Sequence, residues 1–229
     1  MSFISSDAMN NTISISVPIA QIEPLVLNRG IEWRKGYKAS MPTTALQAKH
    51  TQGCRVLPDR ETLLSCIPSN GVCAEIGAAY GDYTASILAL NKPMALHLID
   101  AWDSDRYRIG LEQIREKFKS DLEENRLHIH QGYSTQQLMT FEDGYFDWVY
   151  IDTDHSYQTT WDELRLCDKK VKAGGLIAGH DFCTGNVVTP VPYGVIEAVT
   201  KFCVEYNWRY EFITLESHGH FSFCLKRLD

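Results

Sequence analysis

The run that most constrains this chain is Val72 to Thr84, Val-Cys-Ala-Glu-Ile-Gly-Ala-Ala-Tyr-Gly-Asp-Tyr-Thr. An apolar stretch carries Glu75 near its end. Gly77 and Gly81 then bracket Ala78, Ala79 and Tyr80, and a helical pattern begins after Asp82. Strand, glycine turn and helix form the corner at which open α/β sheets bind phosphates or nucleosides. Glycine lets a ligand approach the backbone and permits a positive φ. The spacing is Glu-x-Gly-x-x-x-Gly, not the Gly-x-Gly-x-x-Gly of dinucleotide enzymes. An ordinary strand-to-helix connection could use the same glycines, so the rest of the chain has to decide.

From Asp59 onward the pattern is regular. Asp59 is placed to cap a helix through Ile67, ended by Pro68-Ser69-Asn70-Gly71. Strands are expected at 72–76, 95–99, 127–130, 146–151 and 176–178. Helices are expected at 82–90, 107–124, 135–141, 157–171 and 193–206. Two further strands, 210–215 and 220–225, flank Ser217-His218-Gly219 and should form an antiparallel hairpin. Right-handed crossovers give the parallel strands the order 3-2-1-4-5, and ligands bind at the carboxyl ends of such strands. Those ends carry Glu75 and Gly77, Asp100, Gly132 and Ser134, Asp152, and His180 with Asp181. Carboxylates gathered on one rim repel each other, so as scaffold alone they would be costly and they point to a binding site.

Charge and cysteine usage narrow the partners. Lys plus Arg is 22, Asp plus Glu is 29, and the net charge is -7, which argues against nucleic acid as a partner. Seven cysteines without a Cys-x-x-Cys pair fit free thiols in a reducing cytoplasm better than a disulfide framework. No signal-peptide pattern and no apolar run of about 20 residues is present, so neither secretion nor a membrane partner is expected.

The residues resemble class I S-adenosylmethionine-dependent methyltransferases, the seven-stranded Rossmann-like kind. The likeness covers roughly Asp59 to the C-terminus. It rests on Glu75-Ile-Gly-Ala-Ala-Tyr-Gly81, on Asp100 closing the second strand, and on the late hairpin. Leu96-His-Leu-Ile-Asp-Ala-Trp102, Asp152-Thr-Asp-His-Ser-Tyr157 and Gly174-Gly-Leu-Ile-Ala-Gly-His-Asp181 are similar to metal-dependent small-molecule O-methyltransferases of the macrolide-sugar and cephalosporin-pathway type. The resemblance implies a three-layer α/β fold with a mostly parallel seven-stranded sheet in the order 3-2-1-4-5-7-6. One strand is antiparallel, and an N-terminal extension precedes the sheet.

It also implies roles. Glu75 and Gly77 would line the methionine part of S-adenosylmethionine, with Ala78, Tyr80 and Gly81 completing the turn. Asp100 would accept both ribose hydroxyls, as a carboxylate can from a cis-diol. Ala101, Trp102, Tyr133 and Ser134 would border the adenine end, and Asp152 would also contact the cofactor. Asp152 and Asp181 occupy the positions of two metal-binding aspartates in catechol-type O-methyltransferases. His180 stands where the cephalosporin-pathway relatives have an acidic residue. A carboxylate-rich site suits Mg²⁺ or Mn²⁺, and an imidazole tilts it toward Mn²⁺ or another transition metal. His155, three residues beyond Asp152, matches the offset of the catechol-type base, and its pKa class suits general-base work. Asp154 competes for that role. Either Asp154 or Ser156 could instead cap the next helix.

The expected activity is methyl transfer to a hydroxyl of a small-molecule acceptor. A nicotinamide-dependent oxidoreductase and a non-catalytic nucleoside-binding module are the alternatives. The absent dinucleotide fingerprint opposes the first, and the Asp152, His155 and Asp181 set opposes the second. Residues 58–229 are expected to form the methyltransferase domain. Residues 1–57 read as an extension serving as a lid or an oligomer arm. It contains the alternating run Ile13–Val17 and a basic, aromatic cluster at Ile31–Lys38.

Overall fold

The computed structural model describes residues 3–6, 12–15, 19–105, 107–188 and 190–228, with side chains from residue 30 onward. The chain divides into two compact units, Met1–Ser40 and Met41–Asp229. In the first, β1 (Phe3–Ser6) pairs antiparallel with β2 (Thr12–Ile15), and α1 (Ile19–Ser40) follows. The alternating run is thus strand through Ile15, and Ser16 and Val17 lie outside the described residues. Trp33 and Tyr37, one helical turn apart on α1, stack at 5.6 Å.

The second unit opens with α2 (Ala48–Thr51) and β3 (Arg55–Leu57), then α3 (Arg60–Cys66), β4 (Val72–Ile76) and α4 (Asp82–Ser86). Next come β5 (Ala95–Asp100), α5 (Gly110–Lys117), α6 (Lys119–Glu123), β6 (Leu127–Gln131) and α7 (Ser134–Leu138). β7 (Phe146–Ile151), α8 (Tyr157–Lys170) and β8 (Val171–Gly179) follow. The two-residue strands β9 (Gly185–Asn186) and β10 (Val191–Pro192) precede α9 (Val195–Tyr206), β11 (Trp208–Thr214) and β12 (Phe223–Arg227). The main sheet runs β3-β11-β12-β8-β7-β4-β5-β6. β12 is antiparallel to both its neighbours, and the other pairings are parallel. Without β3 this is the expected seven-stranded order.

β3 is an addition that moves the boundary. It pairs parallel with β11 at the sheet edge, so residues 41–57 join the sheet-bearing unit rather than an extension. Two other expected helices are altered. The one over 107–124 breaks at Phe118 (φ -115°, ψ 31°), and the one after Asp82 ends in a π-turn, Ile87–Asn91. There Asn91 donates from Nδ2 to the carbonyls of Leu64 (3.2 Å) and Pro68 (3.0 Å), which ties the turn to the end of α3.

Parallel strands buried on both faces send alternate residues to opposite layers. On β7, Trp148 and Tyr150 join a core with Leu63, Ile87 and Ile114, and Val149 and Ile151 join one with Leu164, Val199 and Phe202. Each fully buried side chain of this size contributes about 1.5–3 kcal/mol. The expected cap holds, with Asp59 Oδ1 accepting from Thr62 N at 2.7 Å, an interaction worth about 1 kcal/mol.

Candidate active site

The glycine turn after β4 is built against two other strand ends. Gly77 has φ +93°, and a Cβ there would lie 1.9 Å from the Asp152 carbonyl oxygen. Gly77 N donates to Ile99 O at 2.8 Å, and Asp152 N donates to Ile76 O at 2.7 Å. The next residues are locked by Asp100 and Trp102. Asp100 Oδ2 accepts from Ala79 N, and Oδ1 accepts from Trp102 N, both at 2.9 Å. Trp102 Nε1 donates to Ala79 O at 2.8 Å. Both Asp100 oxygens are therefore oriented by the backbone, and each keeps a lone pair for another donor.

These groups open onto a cleft of about 650 Å³ at the carboxyl ends of the strands. Of the residues expected from sequence, Gly77, Asp100, Ala101, Tyr133, Ser134, Asp152, Asp154 and His155 line it. Ala79, Tyr107, Gln136, Thr153, Gln158 and Asp162 line it as well and were not anticipated. Tyr107 precedes α5 in a segment that reads as plain helix. Gln158 and Asp162 sit one turn apart on α8, bonded to each other at 2.7 Å, and nothing in their spacing separates them from a solvated helix face.

The other expected cofactor residues sit elsewhere. Glu75 is buried and accepts from Thr84 Oγ1 at 2.5 Å. Burial, only partly offset by that bond, pushes its carboxyl up to about 8. Ala78 and Trp102 are core residues. Gly81 (φ +77°) caps α4 and lies against Phe118 and Ile114. Tyr80 packs on Tyr107 with centroids 5.6 Å apart, above a shallow depression beside Asp82 and Lys117. Glu75, Trp102 and Gly81 thus hold the shape of the turn, at one remove from the cleft.

Asp152, His155, His180 and Asp181 come together at the ends of β7 and β8. His155 Nε2 is 3.1 Å from Asp181 Oδ2, and His180 Nδ1 is 3.7 Å from Asp152 Oδ2 and 3.5 Å from Asp181 Oδ2. One ligand-type atom from each of Asp152, His155 and Asp181 lies within 4.8 Å of the other two. The His180 Nε2 atom is buried without a hydrogen-bond partner. Burial would raise the Asp181 carboxyl, but bonds and charge from His180, His155 and His220 hold it well below the usual range. Asp152 shifts upward, because its burial outweighs the nearby cations. Burial would lower His180, yet the two aspartates raise it. Sequence reasoning did not anticipate Arg60, whose Nη1 is 3.8 Å from Asp152 Oδ2, or His220, which contacts Asp181 Oδ1. Both arrive from distant segments with no local signature.

Asp154 is occupied as a capping residue. Its oxygens accept from Ser156 N (2.9 Å) and Thr159 Oγ1 (2.8 Å), and Ser156 Oγ accepts from Thr159 N at 3.2 Å. Both candidates therefore serve the start of α8. Half of the non-glycine residues with positive φ among the described residues lie on the same rim. Ala79, Trp102, His155 and Asp181 all have positive φ, between 46° and 60°. Such conformations cost about 1–3 kcal/mol each and gather at functional sites.

Residues 74–182, just under half of the chain, match a family model described as a methyltransferase domain. No curated protein matches by sequence. Among solved structures, a candidate O-methyltransferase from Klebsiella pneumoniae is 21% identical, with TM-score 0.57, over 92% of this chain and 94% of that one. A cofactor-bound protein from MTB is 17% identical, with TM-score 0.55, over 89% of each chain. The pyocyanin biosynthetic protein PhzM is 15% identical, with TM-score 0.51; this chain, matched over 70% of its own length, spans about half (51%) of that protein. At these identities the structures speak to fold. The sequence match likens residues 74–182 to a methyltransferase domain, and the solved structures share the Rossmann-like fold.

Proposed function

We propose that this protein transfers the methyl group of S-adenosylmethionine to a hydroxyl of a small molecule, with a divalent metal assisting. The observation that carries the reading is that Asp100, Asp152 and His155 line one cleft. A diol-accepting carboxylate and a cluster of ionisable groups thus share one space.

The residues fit the cofactor. Gly77 lets the turn close onto the Asp152 backbone at the mouth of the cleft, and Asp100 presents two oriented oxygens with free lone pairs. Tyr133 and Ser134 would border the adenine from the far wall. Bound S-adenosylmethionine supplies an electrophilic methyl group on a sulfonium centre. The chain's own part is to orient that centre toward the acceptor and exclude water, since methyl transfer demands near-linear approach at short range.

The residues also fit a divalent ion. Asp152 and Asp181 supply carboxylates, and His180 Nδ1 faces both. Such a group lowers the pKa of a hydroxyl held beside it. His155 stands on the cleft wall, whereas His180 lies behind it. We therefore assign His155 as general base and His180 as ligand. Nε2 of His155 is 3.1 Å from Asp181 Oδ2, a contact that would stabilise the imidazolium formed when the base takes the acceptor's proton. Asp154, tied to α8, contributes position.

The reading is tested by ligand-induced stabilisation and calorimetry. S-adenosylmethionine and S-adenosylhomocysteine should raise the melting temperature, and NAD should not. Unaltered S-adenosylhomocysteine affinity in Asp100→Ala would reject the ribose assignment.

A further inference from the structure

Asp181 faces a second set of donors that the methyl-transfer reading does not use. Its Oδ2 is turned to His155 and His180, whereas its Oδ1 contacts His220 Nδ1. Cys183 Sγ lies 3.8 Å from that same His220 nitrogen. One donor atom each from Asp181, Cys183 and His220 lies within 4.8 Å of the other two. Asp181 is buried and the other two are half-buried. They come from two segments, Asp181 and Cys183 from the connection between β8 and β9 and His220 from the turn before β12.

Two features separate this cluster from a hydrogen-bonded nucleophile. In a Cys-His-Asp relay the thiol and the carboxylate address opposite ring nitrogens. Here both approach Nδ1, so sulfur, nitrogen and oxygen converge on one point. The sulfur–nitrogen spacing also fits an ion. A tetrahedral zinc with ordinary Zn–S and Zn–N bonds sets those ligands about 3.6 Å apart, close to the 3.8 Å between Cys183 Sγ and His220 Nδ1.

We propose that Asp181, Cys183 and His220 form a site for a zinc-class transition-metal ion, with Asp181 as a carboxylate shared with the His155 side. Thiolate and imidazole donors select borderline and soft ions over Mg²⁺, which takes oxygen ligands. Binding replaces the Cys183 thiol proton, which leaves to solvent, with a metal–sulfur bond. Three protein ligands leave one position open, as in zinc sites that accept water or substrate. The ion would also tie the β9–β10 segment to the β11–β12 turn. The proposal does not depend on methyl transfer, because it concerns ion binding by the protein alone.

The test uses metal-stripped full-length protein titrated with Co²⁺ and then with Zn²⁺. Wild type should develop a thiolate-to-cobalt charge-transfer band in the near ultraviolet that Zn²⁺ abolishes by displacement. Cys183→Ser should lose the band, and His220→Ala should weaken Zn²⁺ binding at least about tenfold. Asp152→Asn should retain the band. Melting temperatures in chelator identify any variant that has lost its fold. Absence of the band in wild type, or its survival in Cys183→Ser, overturns the site. If Mn²⁺ binding at Asp152 fails while the cobalt band persists, the divalent-ion part of the proposed function falls and this site stands.

Discussion

A Cβ placed on Gly77 would lie 1.9 Å from the carbonyl oxygen of Asp152. The turn after β4 and the end of β7 are thus pressed together at the point where the cleft opens. Any side chain at 77 must push the two strand ends apart, and it must also adopt φ +93°. Gly77→Ala should lower stability by at least about 2 kcal/mol. It should also abolish S-adenosylhomocysteine binding, read by urea melts and calorimetry. A variant with wild-type stability would mean that the close approach is not maintained in solution.

Asp100→Asn tests the ribose carboxylate more finely than alanine does. Asparagine keeps one acceptor oxygen, so either Ala79 N or Trp102 N would then face an NH₂ group instead of an oxygen. The expected outcome is a 10- to 100-fold loss of S-adenosylhomocysteine affinity, about 1.4–2.7 kcal/mol. The unliganded protein should lose about 1 kcal/mol of stability as one backbone bond goes. Calorimetry and chemical denaturation read the two effects separately.

The contrast between Asp100 and Glu75 shows what the sequence could convey. Asp100, Asp152 and Asp181 are legible because each carboxylate lies at or within two residues of the end of an apolar strand, and topology puts such ends on one rim. Glu75 also ends an apolar run, but it lies inside β4 and turns into the core toward Thr84. A period of two alone does not say which layer is solvent when both faces are buried. β3 escaped notice because three residues, two of them exposed, carry no readable alternation. Arg60 and His220 reach the site through tertiary packing, which no local pattern encodes.

The division of labour between His155 and the aspartates is measurable without knowing the acceptor. Manganese binding followed by electron paramagnetic resonance should weaken at least about tenfold in Asp152→Asn and Asp181→Asn. In His155→Ala it should change less than about threefold, because His180 Nδ1 already faces both carboxylates. A large loss in His155→Ala would instead make that imidazole a ligand, in keeping with its place within 4.8 Å of both aspartates, and would leave the base to be found elsewhere.

Glu163 should make stability fall as pH rises. It is fully buried beneath the cleft, with Oε2 accepting from Thr153 Oγ1 at 3.0 Å and Oε1 unpartnered. Burial, partly offset by hydrogen bonds from Ser134 and Thr153, pushes its carboxyl up to about 8 from an ordinary 4.5. Between those values the folded protein holds a proton that the unfolded chain has released, so alkalinisation favours unfolding. The contribution is fully present below pH 4.5 and lost as pH rises through 8. The slope it adds is at most about 1.4 kcal/mol per pH unit. Glu163→Gln removes the titration. Urea melts at about pH 5.5, 6.5 and 7.5, spanning the window between the two pKa values, should therefore show the variant gaining on wild type at each step. A gap that stays constant with pH would show that Glu163 is already ionised in the folded protein.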